Sequence, residues 1–300
     1  MSGAPVHAAL IVGPAGVGKR TLAALLAQSL HCSAPHRKPC GICPSCVRFA
    51  SGSHPDAHRI QQQKRILIDE VRALIAALSI VAYEGGVKTI QIENAEAMTP
   101  QAQNALLKTL EEPPGDTVFL LTAVSLAQIL PTIRSRCRIV QLPPMAEEAV
   151  REALERRGIS RDIAARAAAL SGGSVGEALK MAEDGAFWQL QARVMQAMDS
   201  VRSPVDVWKA VEALKDDRPA AADVCGLLET SLRSMLRLRT AGKGMPANAW
   251  EETLAGMGPR FLIKRLEAVQ TLRRMLASNV SWHAALERFI LEYVEDIWQS

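Results

Sequence analysis

The pattern of apolar and polar positions predicts strands alternating with helices over residues 1–143. A short apolar run predicts a buried strand over His7–Val12, and the segment "KTIQI" predicts a strand over Lys88–Ile92. The segments "TVFLLTA" and "CRIVQLPP" predict two more. Strands that alternate with helices are typical of a doubly wound parallel sheet, which binds its ligand at the carboxyl ends of the strands.

Helical spacing of apolar residues predicts the helices between these strands. Leucines recur at that spacing directly after the first strand and its glycine-rich loop. We expect Asp69 to cap a second helix and Thr99 to cap a third, which Pro113 and Pro114 stop. From about Met145 no further strand pattern occurs. The sequence therefore predicts a small helical lid over residues 145–184 and an all-α domain over residues 187–300.

The composition agrees with a helix-rich globular protein of two or three domains. Of the 300 residues 48% are hydrophobic, which supplies ample core, but only 4% are aromatic. The net charge of +4 permits contact with nucleic acid without arguing for it. No apolar run is long enough to cross a bilayer and the first residues lack a signal pattern, so we expect a cytoplasmic location and no membrane partner.

A phosphate-binding loop follows the first predicted strand. Gly13, Gly16, Gly18 and Lys19 match the first seven positions of that pattern, in the order strand, loop, helix. Glycines let the backbone amides turn toward a phosphate, and the lysine reaches its outer oxygens. This pattern predicts a site for the phosphates of ATP or ADP.

Two positions that hydrolysis requires carry the wrong residue types. The eighth loop position, where a Ser or Thr hydroxyl holds Mg²⁺, is Arg20, and Thr21 comes one residue late. The strand that ends at Ile92 is followed by Glu93, which can still reach a metal through water, and by Asn94, whose amide cannot act as a base. We therefore expect little or no hydrolysis by this chain. Nucleotide, if bound, is expected at seven residues: Gly13, Gly16, Gly18, Lys19, Arg20, Thr21 and Glu93.

Four cysteines lie within fifteen residues after the first predicted helix. Cys32, Cys40, Cys43 and Cys46 form two overlapping C-x-x-C units. Two intervening residues let a tight turn direct both sulfurs at one ion, and four thiolates complete a tetrahedral shell for Zn²⁺. A redox pair does not need four thiols, and an iron–sulfur cluster is the remaining alternative. The spacing favours a structural zinc site, because no ligand position stays open for a substrate.

Together these motifs resemble the bacterial DNA polymerase III clamp-loader family of the AAA+ class, and the resemblance covers nearly the whole chain. It is carried by "GPAGVGKRTLA", the four-cysteine insertion, "GSHPD", "YEGGVKTIQIENAEAMTPQAQNALLKTLEEPP" and "LPTIRSRCRIVQLPP". It implies a RecA-like AAA+ domain over residues 1–143 with a zinc module at residues 32–46, the helical lid, and a C-terminal collar domain. It also implies that Arg136, in the triplet Ser135–Cys137, is an arginine finger acting in trans on a neighbour's ATP.

The resemblance further implies a hetero-oligomer with gamma/tau ATPase subunits and a delta subunit, within a DNA polymerase holoenzyme. That assembly places a sliding clamp on primer–template DNA, which this chain would contact only indirectly. Two roles remain open. The first is a stator with little or no catalysis; the second is an ATP-hydrolysing gamma/tau-type motor that uses Lys19, Thr21 and Glu93. Arg20, Asn94 and Val175, which stands where active relatives have a phosphate-sensing arginine, favour the stator.

Overall fold

Five short strands form one parallel sheet in the computed structural model, which describes residues 7–61, 64–78, 82–83, 86–242, 245–278 and 280–298. The strands are β1 (Ala8–Val12), β2 (Ala57–Ile60), β3 (Lys88–Ile92), β4 (Thr117–Ala123) and β5 (Arg138–Gln141). Their order in the sheet is β2-β3-β4-β1-β5, and every pairing is parallel. The chain divides into two compact units, Met1–Leu179 and Lys180–Ser300, and the sheet belongs to the first.

Eight helices begin in the first unit and six more follow in the second, counted over the described residues. The first eight are α1 (Lys19–His31), α2 (Pro44–Ala50), α3 (Ile68–Leu78), α4 (Pro100–Glu111), α5 (Pro131–Arg134), α6 (Glu147–Glu155), α7 (Arg161–Leu170) and α8 (Val175–Glu183). The others are α9 (Gly185–Asp199), α10 (Asp206–Leu214), α11 (Ala221–Ala241), α12 (Ala249–Ala255), α13 (Pro259–Ala277) and α14 (Trp282–Trp298). Among the described residues, no helix is long and apolar enough to cross a membrane.

Helices cover both faces of the sheet. Alternate residues of the central strands point to opposite sides, and their apolar side chains are buried on both sides only if each face is covered. Leu10 of β1 belongs to a core that also contains residues of α3 and α4, such as Leu74 and Leu106. Its neighbour Ile11 belongs to a second core with Ala23 and other residues of α1. The predicted doubly wound parallel sheet is therefore confirmed.

Most predicted elements match the observed ones closely. The strands over Lys88–Ile92 and in "TVFLLTA" have the predicted bounds, and Thr99 caps α4 by accepting a hydrogen bond from the backbone N–H of Ala102. The predicted cap at Asp69 is wrong: α3 begins at Ile68, so Asp69 lies inside its first turn. The edge strand β2 was not predicted, because it has four residues and two of them, His58 and Arg59, are polar.

Within the second unit every described element is helical, as predicted. Its core contains two large aromatic side chains that are almost fully buried, Trp250 and Tyr293. The indole N–H of Trp250 donates to the hydroxyl of Tyr293 over 2.9 Å, so the polar atom of each ring is satisfied inside the core. The boundaries predicted for the lid and collar, residues 145–184 and 187–300, stay predictions.

Candidate functional site

The predicted phosphate-binding loop joins the carboxyl end of β1 to the amino end of α1. Gly16 at its tip has a left-handed φ of +68°, and a Cβ there would lie 2.2 Å from Oγ of Ser174. The backbone N–H of Gly176, in the first turn of α8, donates to the carbonyl of Gly16 over 3.0 Å. The loop therefore needs glycine for two reasons, its backbone angle and the close approach of α8.

Lys19 is turned back onto the loop that precedes it. Its Nζ donates to the carbonyls of Gly13 and Pro14, each over 2.7 Å, and the residue is buried. Burial lowers the pKa of Lys19, while the nearby carboxylate of Glu96 acts in the opposite direction. Glu96, which no sequence motif singled out, also accepts a hydrogen bond from the backbone N–H of Val124 at the end of β4.

Arg20 makes an ion pair with Glu93. The guanidinium Nε lies 2.9 Å from Oε2 of Glu93, whose side chain is only 6% exposed, whereas that of Arg20 is 57% exposed. The carboxylate at the end of β3 thus already faces a positive charge. Asn94, next in the chain, has a left-handed backbone and donates its N–H to Oγ1 of Thr122.

These residues surround one cavity of about 460 Å³. Six of the seven residues predicted to bind nucleotide line it: Gly16, Gly18, Lys19, Arg20, Thr21 and Glu93. The seventh, Gly13, contributes the carbonyl that holds Lys19. Arg59 also lines the cavity and was missed, because its position depends on the unpredicted strand β2. The cavity walls carry three basic side chains and one carboxylate, which favours an anionic ligand.

The four predicted metal ligands lie together after α1. The sulfur atoms of Cys32, Cys40, Cys43 and Cys46 are all within 4.8 Å of one another. In a tetrahedral thiolate site with metal–sulfur bonds of about 2.3 Å, sulfurs are about 3.8 Å apart. The observed cluster fits such a site, and the prediction that these residues could hold a metal ion is confirmed.

Local backbone geometry favours the thiolate form of one ligand. Cys43 caps α2, and the N–H of Cys46 donates to its sulfur over 3.4 Å. That hydrogen bond, with others from Ser33, lowers the pKa of Cys43 to about 5. Burial instead raises the pKa of Cys46 to about 12. A bound cation would offset the cost of burying the Cys46 thiolate, because its positive charge stabilises the deprotonated sulfur.

A buried histidine joins the cysteine module to the sheet. Nδ1 of His54 accepts from the backbone N–H of Asp56, so its proton lies on Nε2, which donates to Oγ of Ser45 over 2.8 Å. Ser45 belongs to α2 and directly precedes Cys46. His54 therefore connects α2 to the backbone that precedes β2 through its two ring nitrogens.

The predicted arginine finger lies at the opposite end of the sheet from the phosphate-binding loop. Arg136 precedes β5, and the loop follows β1, whose last residue, Val12, pairs with Gln141. Arg136 itself lies in a turn, and the strand Arg138–Gln141, about 10 Å long, lies between it and the cavity end of the sheet. Its guanidinium makes an ion pair with Glu111 at the end of α4. The finger role stays a prediction.

Residues 1–146 match the family described as "DNA polymerase III, delta subunit". The chain is 47% identical over 135 residues to the DNA polymerase III subunit delta' of Pseudomonas aeruginosa, an alignment that covers 44% of this chain and 41% of the relative. It is 35% identical over 220 residues to the subunit delta' of Escherichia coli, covering 72% of this chain and 66% of the relative.

A match to a different subunit covers more of the chain at lower identity. The DNA polymerase III subunit tau of Salmonella typhimurium is 30% identical over 297 residues, which is 97% of this chain and 44% of that relative. The chain thus spans between about two fifths and two thirds of the length of these three relatives. The higher identities and the family match agree with the motifs, and the chain belongs to the DNA polymerase III delta-prime family.

Proposed function

We propose that this chain is the delta-prime-type stator of a DNA polymerase III clamp loader. In this role it assembles with gamma/tau ATPases and a delta subunit, and the assembly loads a sliding clamp onto primer–template DNA. The chain hydrolyses no ATP itself and supplies Arg136 to a neighbouring ATPase subunit. The observation that carries the proposal is the ion pair between Arg20 and Glu93.

A guanidinium in that position is incompatible with metal-assisted phosphoryl transfer. In P-loop enzymes a Ser or Thr hydroxyl at the end of the loop and an acidic residue at the end of a second strand of the sheet hold Mg²⁺ together. Here Arg20 occupies the hydroxyl position and is paired with the carboxylate, Glu93. Arg20 therefore balances the charge that a metal ion would balance, and Asn94 supplies no base to activate water.

The sheet register supports a role for Arg136 in trans. It precedes the amino end of β5, whereas its own loop follows the carboxyl end of the parallel neighbour β1, so the length of a strand lies between Arg136 and phosphates held by its own loop. A partly exposed arginine at the end of the sheet can instead enter the nucleotide site of an adjacent subunit. There a guanidinium stabilises the charge that develops on the transferred phosphoryl group.

We infer that the metal held by the four cysteines is Zn²⁺. All-thiolate tetrahedral shells suit zinc, and four protein ligands leave no open position for catalysis. Cys32, Cys40, Cys43 and Cys46 would hold the ion, whose contribution is to fold the segment between α1 and α2. The exposed basic residues His36, Arg37 and Lys38 reduce the net negative charge of the module.

The alternative is a gamma/tau-type motor, which the match of 97% of the chain to a tau subunit favours. Such a motor would use Lys19, Thr21 and Glu93, which all line the cavity. The two roles differ in one measurable property. In the assembled complex a motor hydrolyses ATP at its own nucleotide site, and the stator does not.

The test is ATP turnover by the purified full-length chain, first alone and then assembled with the clamp-loader subunits of its own organism. We expect no turnover by the chain alone. In the assembly we expect Arg136→Ala to lower ATP turnover and clamp loading, whereas Arg134→Ala and Arg138→Ala should do less. Turnover by the contaminant-free chain would support the motor, and an unchanged assembly with all three variants would refute the finger assignment.

A further inference from the structure

Arg136 is held by contacts within its own chain. Both Nε and Nη2 donate to the carboxylate of Glu111, with an Nε–Oε1 distance of 2.7 Å. Nη1 donates to the carbonyl of Thr132 over 2.8 Å and approaches Oγ of Ser135 at 3.3 Å. Every guanidinium nitrogen therefore has a partner, although the side chain remains 31% exposed.

Glu111 is attached to a rigid part of the fold. It is the last residue of α4, and its neighbour Leu110 is fully buried in the core of the sheet. The carbonyl of Leu110 is bonded to Nε2 of His7 over 3.0 Å, which ties the end of α4 to the start of β1. The carboxylate is thus presented from a fixed backbone position.

The location of Glu111 is unfavourable for the helix itself. A carboxylate in the last turn lies at the negative end of the helix dipole, where cationic residues are preferred. Helix stability therefore does not account for a glutamate at this position. The ion pair with Arg136 gives a reason for the carboxylate at this position that helix stability does not give.

We propose that Glu111 is a positioning residue for the arginine finger, an inference that rests on the proposed function. Holding Nε and Nη2 fixes the plane of the guanidinium and reduces the freedom of a long side chain. A guanidinium has five N–H donors, and Glu111 uses one on Nε and one on Nη2, so Nη2 keeps a second donor for a phosphate oxygen. Glu111 orients the finger without covering it.

The exposure of the pair argues against a latch that holds the finger back. The side chains of Arg136 and Glu111 are 31% and 47% exposed, and ion pairs of that kind are weak in water. The phosphoryl group of a bound nucleotide carries several negative oxygens. It is therefore a stronger partner for arginine than one exposed carboxylate is. The pair therefore orders the side chain without competing with its target.

The expected effect follows from the freedom that the pair removes. Fixing one long side chain in advance strengthens its interaction with a target by a factor of about three to ten, because less conformational entropy is lost. Glu111→Ala should therefore lower the Arg136-dependent ATP turnover by about that factor. The loss should fall on kcat and not on the KM for ATP, because the finger acts mainly in the transition state. Glu111→Gln, which keeps the shape and one acceptor, should lose less.

The experiment compares variants of the full-length chain in the assembled clamp loader. The turnover lost in Arg136→Ala is measured first, because it is the part of the total that depends on the finger. The turnover that remains in that variant comes from the other ATPase sites and is subtracted. Glu112→Ala is the matched control, since Glu112 is the adjacent exposed carboxylate at the same helix end. We expect no change with Glu112→Ala, and no further loss when Glu111→Ala is added to Arg136→Ala.

The outcomes separate this inference from the function on which it rests. If Arg136→Ala has no effect, the finger role itself fails. If Arg136→Ala lowers turnover but Glu111→Ala and Glu111→Gln leave kcat unchanged or raise it, only the positioning role fails. Additive losses in the double variant would show that Glu111 acts through another residue, which also overturns the proposal.

Discussion

Removing Arg20 should destabilise the sheet around Glu93. The carboxylate of Glu93 is 6% exposed, and Nε of Arg20 lies 2.9 Å away. Two charges about 4 Å apart interact by about 4 kcal/mol at an effective dielectric constant near 20. Because the side chain of Arg20 is 57% exposed, solvent screening reduces the net value, and we expect a loss of about 1–2 kcal/mol in Arg20→Ala.

Hydrogen–deuterium exchange of the full-length chain measures this loss locally. A loss of 1–2 kcal/mol should speed exchange of the amides in α1 and β3 by about 5- to 30-fold. All five tryptophans of the chain lie beyond residue 180, so their fluorescence serves as a control that the second unit is unchanged. Adding Glu93→Gln to Arg20→Ala should recover part of the loss, because the buried side chain that faced the guanidinium is then uncharged.

A third variant tests whether the guanidinium takes the place of a metal ion. Arg20→Thr restores the hydroxyl at the loop end and removes the guanidinium that faces Glu93, so Mg²⁺ with ATP should slow exchange in α1 more in this variant than in the unmodified chain. The reasoning is refuted if Arg20→Ala exchanges at the unmodified rate and the double variant shows no coupling between the two positions.

Three further predictions concern the metal module, the loop and pH. Cys43→Ser should reduce zinc from about one equivalent per chain to none in reduced, unchelated protein, whereas Cys225→Ala should keep the metal; metal analysis finding no zinc in the unmodified chain would reject the site. Gly16→Ala should lower the free energy of unfolding by about 2–4 kcal/mol in denaturant titrations, because its Cβ would meet Ser174 and its φ is left-handed. Gly52→Ala has a similar φ of +74° with nothing within 4 Å, so it should cost less, and equal losses would contradict the packing argument. Burial lowers the pKa of His58, with Asp56 opposing and Lys88 reinforcing the shift. The unfolded chain therefore takes up the proton first as pH falls through about 6.5, and stability should decline there. His58→Gln should reduce that decline while His283→Gln, at an exposed position, should not, and identical pH profiles for all three chains would show that His58 does not contribute.

The sequence by itself determined the elements whose side chains are buried on both faces. Strand β4 appears as a continuous apolar or β-branched run, and β3 carries β-branched residues at three of its five positions, so the limits of both could be predicted closely. The phosphate-binding loop and the cysteine spacing were equally clear. In both motifs residues a few positions apart must meet, and short-range chain geometry is enough to bring them together.

Only the tertiary structure decided which distant residues became partners. The short polar strand β2 exists because the edge of β3 offers hydrogen bonds, and it brings Arg59 to the cavity. The pairs Arg20–Glu93 and Arg136–Glu111 each join residues from different elements, and their sequence spacing carries no sign of the contact. Sequence patterns report the burial and local angles of a segment. The pairing of Arg20 with Glu93 depends on the order of the strands in the sheet, because that order places the amino end of α1 beside the carboxyl end of β3.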